Sequence, residues 1–141
     1  MFVTAFYAVL DPPSRTLRYA VAGHCPPLLL RAVDCSSEWL QGKGIALGVL
    51  ESIELEEREI SLETGDVVVF YTDGVTEAAN ADYELFGADR LRDAVCEANG
   101  QGARALLEHI VHAVDTFVGR QEQVDDLTIV VLRCEQQDIS V

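Results

Sequence analysis

Val67-Val68-Val69-Phe70-Tyr71 is the segment that most narrows the folds open to this chain. Neighbouring side chains of an extended strand point to opposite faces, so a run with no polar alternate must be covered on both sides. This segment is therefore a central strand. It is also far shorter than the roughly 20 residues needed to cross a bilayer, and the slightly longer apolar run at residues 5–10 falls as far short. A membrane span is excluded, and no charged start followed by an apolar stretch marks a secretory leader.

Patterning extends the picture to either side. Residues 2–10 are rich in β-branched and aromatic side chains and stop at Asp11-Pro12-Pro13-Ser14. Residues 15–22 alternate polar and apolar, so the two pair as a hairpin across the Pro-Pro turn. Residues 28–32 form a short apolar run. Residues 39–50, broken by glycines, read as edge pieces or loop. Residues 53–62 alternate for most of their length and form a half-exposed strand carrying many of the acids. After Gly74 the period shifts towards 3.6. Residues 88–98, stopped by Asn99-Gly100, and residues 103–114, ending before Gly119, are amphipathic helices, and residues 127–133 form a last strand. Strands, then two helices, then one strand give an α+β domain with helices packed on a mainly antiparallel sheet.

Charge limits the partners. The 141 residues hold 24 acids and 10 bases, a net charge of −14. Nucleic acid binding draws its affinity from Lys and Arg, so nucleic acid is not expected. Cys25, Cys35, Cys96 and Cys134 show no paired spacing, and read as buried or half-buried thiols in a reducing cytoplasm.

Chemistry concentrates at two strand ends. The apolar run of residues 67–71 delivers Asp73, followed by Gly74, and no Lys or Arg stands within ten residues on either side. A carboxylate at the edge of a dry core needs a compensating cation or hydrogen-bond donors. Asp73 either binds a metal or caps the turn that follows, and the local sequence leaves both open. Asp125 and Asp126 lead into the last strand. Alternation on an extended chain would send only one of them into a shared site, and a solvent-facing pair is the plain alternative. Adjacent strands would bring these acids together, and hard oxygen donors suit Mg²⁺ or Mn²⁺ better than zinc. His24 reads as a loop-locking residue, and His109 and His112 as part of a helix face. The Asp-Gly-Val segment superficially resembles the haloacid-dehalogenase phosphatases. Their aspartyl nucleophile would fall at Tyr71, which cannot form an aspartyl-phosphate.

Taken together, residues 2–11, 19–30 (with Gly23-His24-Cys25-Pro26-Pro27), Leu47-Gly48-Val49, Gly65-Asp66, residues 71–78, Leu85-Phe86-Gly87 and Asp125-Asp126-Leu127-Thr128 resemble the SpoIIE/RsbU branch of the PPM (type 2C) metal-dependent protein serine phosphatases. The resemblance runs in family order across nearly the whole chain. It implies a sandwich of two antiparallel sheets flanked by helices in α-β-β-α layers. It further implies a two-ion Mn²⁺ or Mg²⁺ centre, in which activated water attacks the phosphoserine phosphorus directly. Asp73 and Asp125 would be metal ligands, Gly74 would permit the turn that aims Asp73, and Asp126 would be a supporting residue. The family's early acidic motifs, which supply the carboxylate bridging the ions, have no counterpart here, and Ala20 stands where one would need an aspartate. Residues 1–141 are thus expected to be the C-terminal portion of one phosphatase domain, incomplete at its N-terminus and with little activity alone. The implied substrate is a phosphoserine protein, often a STAS-type anti-sigma-factor antagonist, with a sensor domain upstream. The alternative is a non-catalytic docking module that keeps the fold. Exposed sheet edges would favour a homodimer.

Overall fold

The computed structural model describes residues 1–136. The expected first hairpin forms: β1 (Ala5–Asp11) and β2 (Thr16–Ala22) pair antiparallel from Asp11↔Thr16 to Ala5↔Ala22. The Arg15 N–H closes the turn on the Pro12 carbonyl at 3.3 Å. β2 also pairs with β5 (Glu57–Ser61), completing a sheet ordered β1-β2-β5. The second sheet is ordered β4-β3-β6-β7, from β4 (Ser37–Trp39), β3 (Leu28–Leu30), β6 (Val67–Tyr71) and β7 (Ile129–Arg133).

β6 lies between β3 and β7, and its alternation explains its composition. Val67, Val69 and Tyr71 pack with Leu28 and Leu30 against helices α2 (Gly87–Glu97) and α3 (Ala103–Val118), through Leu91, Val95, Leu106, Ile110 and Val114. Val68 and Leu29 face the other way, onto Leu17, Tyr19 and Val21 of the first sheet. Fully burying such a side chain contributes about 1.5–3 kcal/mol, so these two clusters, one on each face of the second sheet, hold the layers together.

The antiparallel sandwich agrees with the expected fold, but the described residues build three of the four implied layers. All three helices lie between β6 and β7 in sequence, and both strands belong to the second sheet. The helices therefore return over that sheet's outer face. Among the described residues none covers the outside of β1-β2-β5, where Tyr7 and Val9 are exposed.

Other differences have local causes. The strand expected over residues 53–62 shortens to Glu57–Ser61, because β2 offers partners only from Thr16 to Ala20, and the Glu56 N–H goes instead to the Lys43 carbonyl at 3.1 Å. Helix α3 continues past residue 114 to Val118 and stops, as expected, before Gly119, whose φ of +68° lets the chain leave the helix. Cys35 is exposed, whereas Cys25, Cys96 and Cys134 are half-buried as expected. The Asn99 amide donates to the Cys35 sulfur at 3.0 Å.

A buried acid joins the two sheets at one corner. Asp66, 2 % exposed, sits in the turn between β5 and β6. Its Oδ2 accepts from Arg31 Nη1 at 2.7 Å and from the Glu63 N–H at 2.9 Å, while Oδ1 accepts from the Ala32 N–H at 3.0 Å. The same Arg31 nitrogen donates to the Ser61 carbonyl at 2.7 Å, tying the end of β5 to the end of β3.

Candidate metal centre

The two acidic segments meet because β6 and β7 are neighbours. The last register pair is Tyr71↔Ile129, so the chain leaving β6 runs beside the chain entering β7. Thr72 joins them: its N–H donates to the Thr128 carbonyl at 3.1 Å, and its hydroxyl donates to the Asp126 carbonyl at 3.3 Å and accepts from the Thr128 N–H at 3.2 Å. This role for Thr72 was not foreseen from sequence, since a threonine at a strand end carries no distinctive spacing.

Asp73 opens a single helical turn, α1 (Asp73–Thr76), in place of the plain turn expected after β6. Its carbonyl accepts from the Glu77 N–H at 2.8 Å and the Thr76 hydroxyl at 3.3 Å, whereas its carboxylate makes no hydrogen bond among the described residues. Gly74 is buried against the opposing segment. A Cβ there would overlap the Asp126 carbonyl oxygen and sit 3.0 Å from its carbon and 3.7 Å from the Asp125 carbonyl carbon. Only a residue without a side chain allows this approach.

The acidic pair departs from the expected geometry. β7 begins at Ile129, so Asp125 and Asp126 lie in the loop before it, and strand alternation does not sort them. Both are exposed. Asp125 Oδ1 accepts from the Asp126 N–H at 2.8 Å, which turns the Asp125 carboxylate back along the chain. Asp126 meets the β6 end through its main-chain carbonyl.

The Gly23-His24-Cys25 loop closes the site from the side of β3. The Cys25 thiol donates to the Tyr71 carbonyl at 2.9 Å, and His24 Nδ1 donates to the Cys25 carbonyl at 2.9 Å, which fixes the loop. Burial, and next the Asp73 carboxylate, push the Cys25 thiol up to about 11, so its proton is available for the hydrogen bond to the Tyr71 carbonyl. Burial likewise lifts Tyr71 to about 12. His109 faces Glu97 of α2 at 3.3 Å and belongs to the helix packing. His112 is exposed on the same helix.

Two exposed carboxylates on touching segments are donors of the kind that suit Mg²⁺ or Mn²⁺. Mg²⁺ is commonly held by only one or two carboxylates, with water completing its shell. Among the described residues no three His, Cys, Asp or Glu side chains stand close enough to hold an ion together. The residues fit such an ion in chemistry, and they would supply a small share of its shell.

Known proteins agree with this architecture. The family model for stage II sporulation protein E (SpoIIE) matches residues 1–135. Phosphoserine phosphatase RsbU of Bacillus subtilis is 31 % identical over 133 residues, covering 94 % of this chain and 39 % of RsbU. Protein IcfG of Synechocystis is 29 % identical over 132 residues, again 94 % of this chain but 20 % of that protein. The phosphatase domain of SpoIIE from Bacillus subtilis, solved from manganese-presoaked material, superposes with a TM-score of 0.76 at 16 % identity, covering 98 % of this chain and 59 % of that one. The chain therefore spans well under half the length of these curated relatives. By sequence and by fold, it belongs to the SpoIIE/RsbU-type branch of the PPM (PP2C) phosphatases.

Proposed function

We propose that Asp73 and Asp125 are metal ligands of a Mn²⁺- or Mg²⁺-dependent protein serine phosphatase. In this reading residues 1–141 form the C-terminal part of its catalytic domain. The observation that carries it is the contact between the Asp73-Gly74 turn and the Asp125-Asp126 loop at the paired ends of β6 and β7. Two divalent ions, when bound, would make water a stronger nucleophile and offset charge on the phosphoryl group. This chain's part is to hold two carboxylates at one rim. The Thr72 hydrogen bonds and the Gly74 contact fix the backbone of both, with Asp126 supporting through its carbonyl. The substrate is a phosphoserine protein, and a STAS-type anti-sigma-factor antagonist matches the phosphoserine phosphatase activity that RsbU's name records. The reading places the reaction in the cytoplasm, in a protein with a sensor domain upstream. No helix among the described residues is long and apolar enough to cross a membrane.

Calorimetric titration with Mn²⁺ tests the ligands. Weak binding is expected for the chain, and Asp73→Asn and Asp125→Asn should each weaken it by roughly tenfold or more, since ligand loss exceeds the 10–100-fold typical of outer-shell changes. Titrations that neither substitution alters would refute the assignment and leave the non-catalytic docking module as the better reading. The chain alone should release little phosphate from a phosphoserine protein. Robust Mn²⁺-dependent release, lost in Asp73→Asn, would show that these residues suffice.

Assembly follows from the same architecture. Residues 2–10 carry no charge in a chain of net charge −14, and β1 is an outer strand with Tyr7 and Val9 exposed. An unguarded edge of this kind recruits another strand, and here a second copy is the proposed partner. Sedimentation velocity should show a concentration-dependent dimer that Tyr7→Lys converts to monomer. A wild-type chain that is monomeric throughout would contradict this.

A further inference from the structure

A cavity of about 540 Å³ opens directly beside the candidate metal centre, and shares Gly74, Glu77 and Asp125 with it. One wall is the loop from Ala78 to Phe86. The other is the end of α3 with the segment after it, through Val114, Asp115, Val118 and Glu122. Two apolar side chains stand at its mouth almost wholly in solvent, Tyr83 at 89 % and Val124 at 99 % exposed.

The loop that presents Tyr83 is tightly built. Asn80 Oδ1 accepts from the Asp82 N–H at 3.0 Å and the Glu84 N–H at 2.9 Å. The Asn80 N–H donates to the Glu84 carbonyl at 3.0 Å, and the Phe86 N–H to the Ala78 carbonyl at 2.8 Å. Within this frame Tyr83 has a φ of +61°, which favours glycine. A rigid aromatic ring with one apolar face and a polar tip is a frequent binding anchor. The electrostatics have one sign. Glu77, Asp115 and Glu122 line the cavity, and their carboxylates take part in no ion pair or hydrogen bond among the described residues. Arg120, on the same segment, is not part of the lining.

We propose that this groove docks the stretch of substrate polypeptide adjoining the phosphoserine, and that it selects an extended segment bearing an apolar side chain next to a Lys or Arg. Tyr83 and Val124 grip the apolar side chain, and the unpaired carboxylates receive the cation. The groove adjoins Asp125, so a segment lying in it leads its phosphoserine to the metal centre. The proposal rests on the phosphatase reading for the position of the phosphate alone. Complementarity to a cationic segment is a property of the groove itself, and acidic lining repels mismatched acidic segments.

The test is an amide-shift titration by NMR of the full chain, with a synthetic phosphoserine peptide carrying leucine and arginine beside the phosphoserine. Its unphosphorylated form and a form with serine and glutamate in place of leucine and arginine complete the set. The first two should shift the amides of Glu77, Tyr83, Asp115 and Val124, and the third should not. Tyr83→Gly and Asp115→Asn should each weaken binding by roughly fivefold or more, as loss of an interface anchor does. Glycine is at ease at a φ of +61°, so Tyr83→Gly should melt no lower than wild type, and its loss of binding cannot be ascribed to unfolding. Absent binding, equal binding of the substituted peptide, or affinities untouched by both variants would overturn the proposal. Because the unphosphorylated peptide reads the groove and Mn²⁺ titration reads Asp73 and Asp125, failure of docking and failure of the phosphatase reading give different results.

Discussion

Gly74→Ala is expected to destabilise the chain by about 3 kcal/mol and to abolish what Mn²⁺ binding it has. Most overpacking substitutions cost about 1–3 kcal/mol because neighbouring side chains can rotate away. Here the obstruction is the main-chain carbonyl of Asp126, which no rotamer change removes. The added methyl can be accommodated only if the β6 end and the loop before β7 move apart. That separation breaks the Thr72 hydrogen bonds to Asp126 and Thr128, and with them the common rim shared by Asp73 and Asp125. Thermal melting should fall by roughly 10 °C, at a few degrees per kcal/mol for a domain of this size. Gly102→Ala is the matched control. Nothing lies within 4 Å of its Cβ position and its φ is −64°, so only its place as the cap of α3 is disturbed, at a cost below about 1 kcal/mol. Equal melting of the two variants would contradict the close-approach argument.

Asp66→Ala should cost about 3 kcal/mol, through a different mechanism. The substitution leaves the Glu63 and Ala32 N–H groups without their acceptor and takes the carboxylate from Arg31, whose Nη1 keeps only the Ser61 carbonyl. Breaking a buried charged pair typically costs 3–5 kcal/mol, and the partial exposure of Arg31 places this case near the lower bound. The pH dependence follows from the same bonds. Burial alone would raise the Asp66 carboxyl, but the Glu63 and Ala32 N–H groups and the Arg31 guanidinium outweigh it and hold it below the ordinary aspartate value of 3.8. A group whose folded pKa is depressed stabilises the fold above its unfolded pKa and loses that contribution as pH falls through the folded one. Urea midpoints should therefore decline below about pH 4 in the wild type. In Asp66→Asn the part of that decline due to this group should vanish. An unchanged acid limb in the variant would show that other carboxylates dominate it.

Much of this architecture was legible because period and punctuation agreed. The all-apolar run at residues 67–71 could only be a doubly covered strand, and the Pro-Pro and Asn-Gly breaks bounded the hairpin and helix α2. The centre was half legible. Asp73 and Asp125 each stood at the end of a β-branched run, but which strands would be neighbours is settled by packing across more than fifty residues of chain. The Asp125-Asp126 pair misled for a related reason: strand alternation applies only where a strand has begun, and β7 starts later. Thr72 and the groove beside Tyr83 were out of reach. Bridging hydroxyls and concave surfaces are made by segments distant in sequence, and no local spacing records them.

The two margins of the first sheet differ in a way that sets how far it can grow. β5 alternates Glu57, Arg58 and Glu59 along its open side, whereas β1 presents no charge before Asp11. Two chains joined strand to strand at β1 would form one six-stranded layer ending in charged β5 at both extremities. Charged side chains at both ends would discourage further addition, so lateral growth of this layer would halt at the pair.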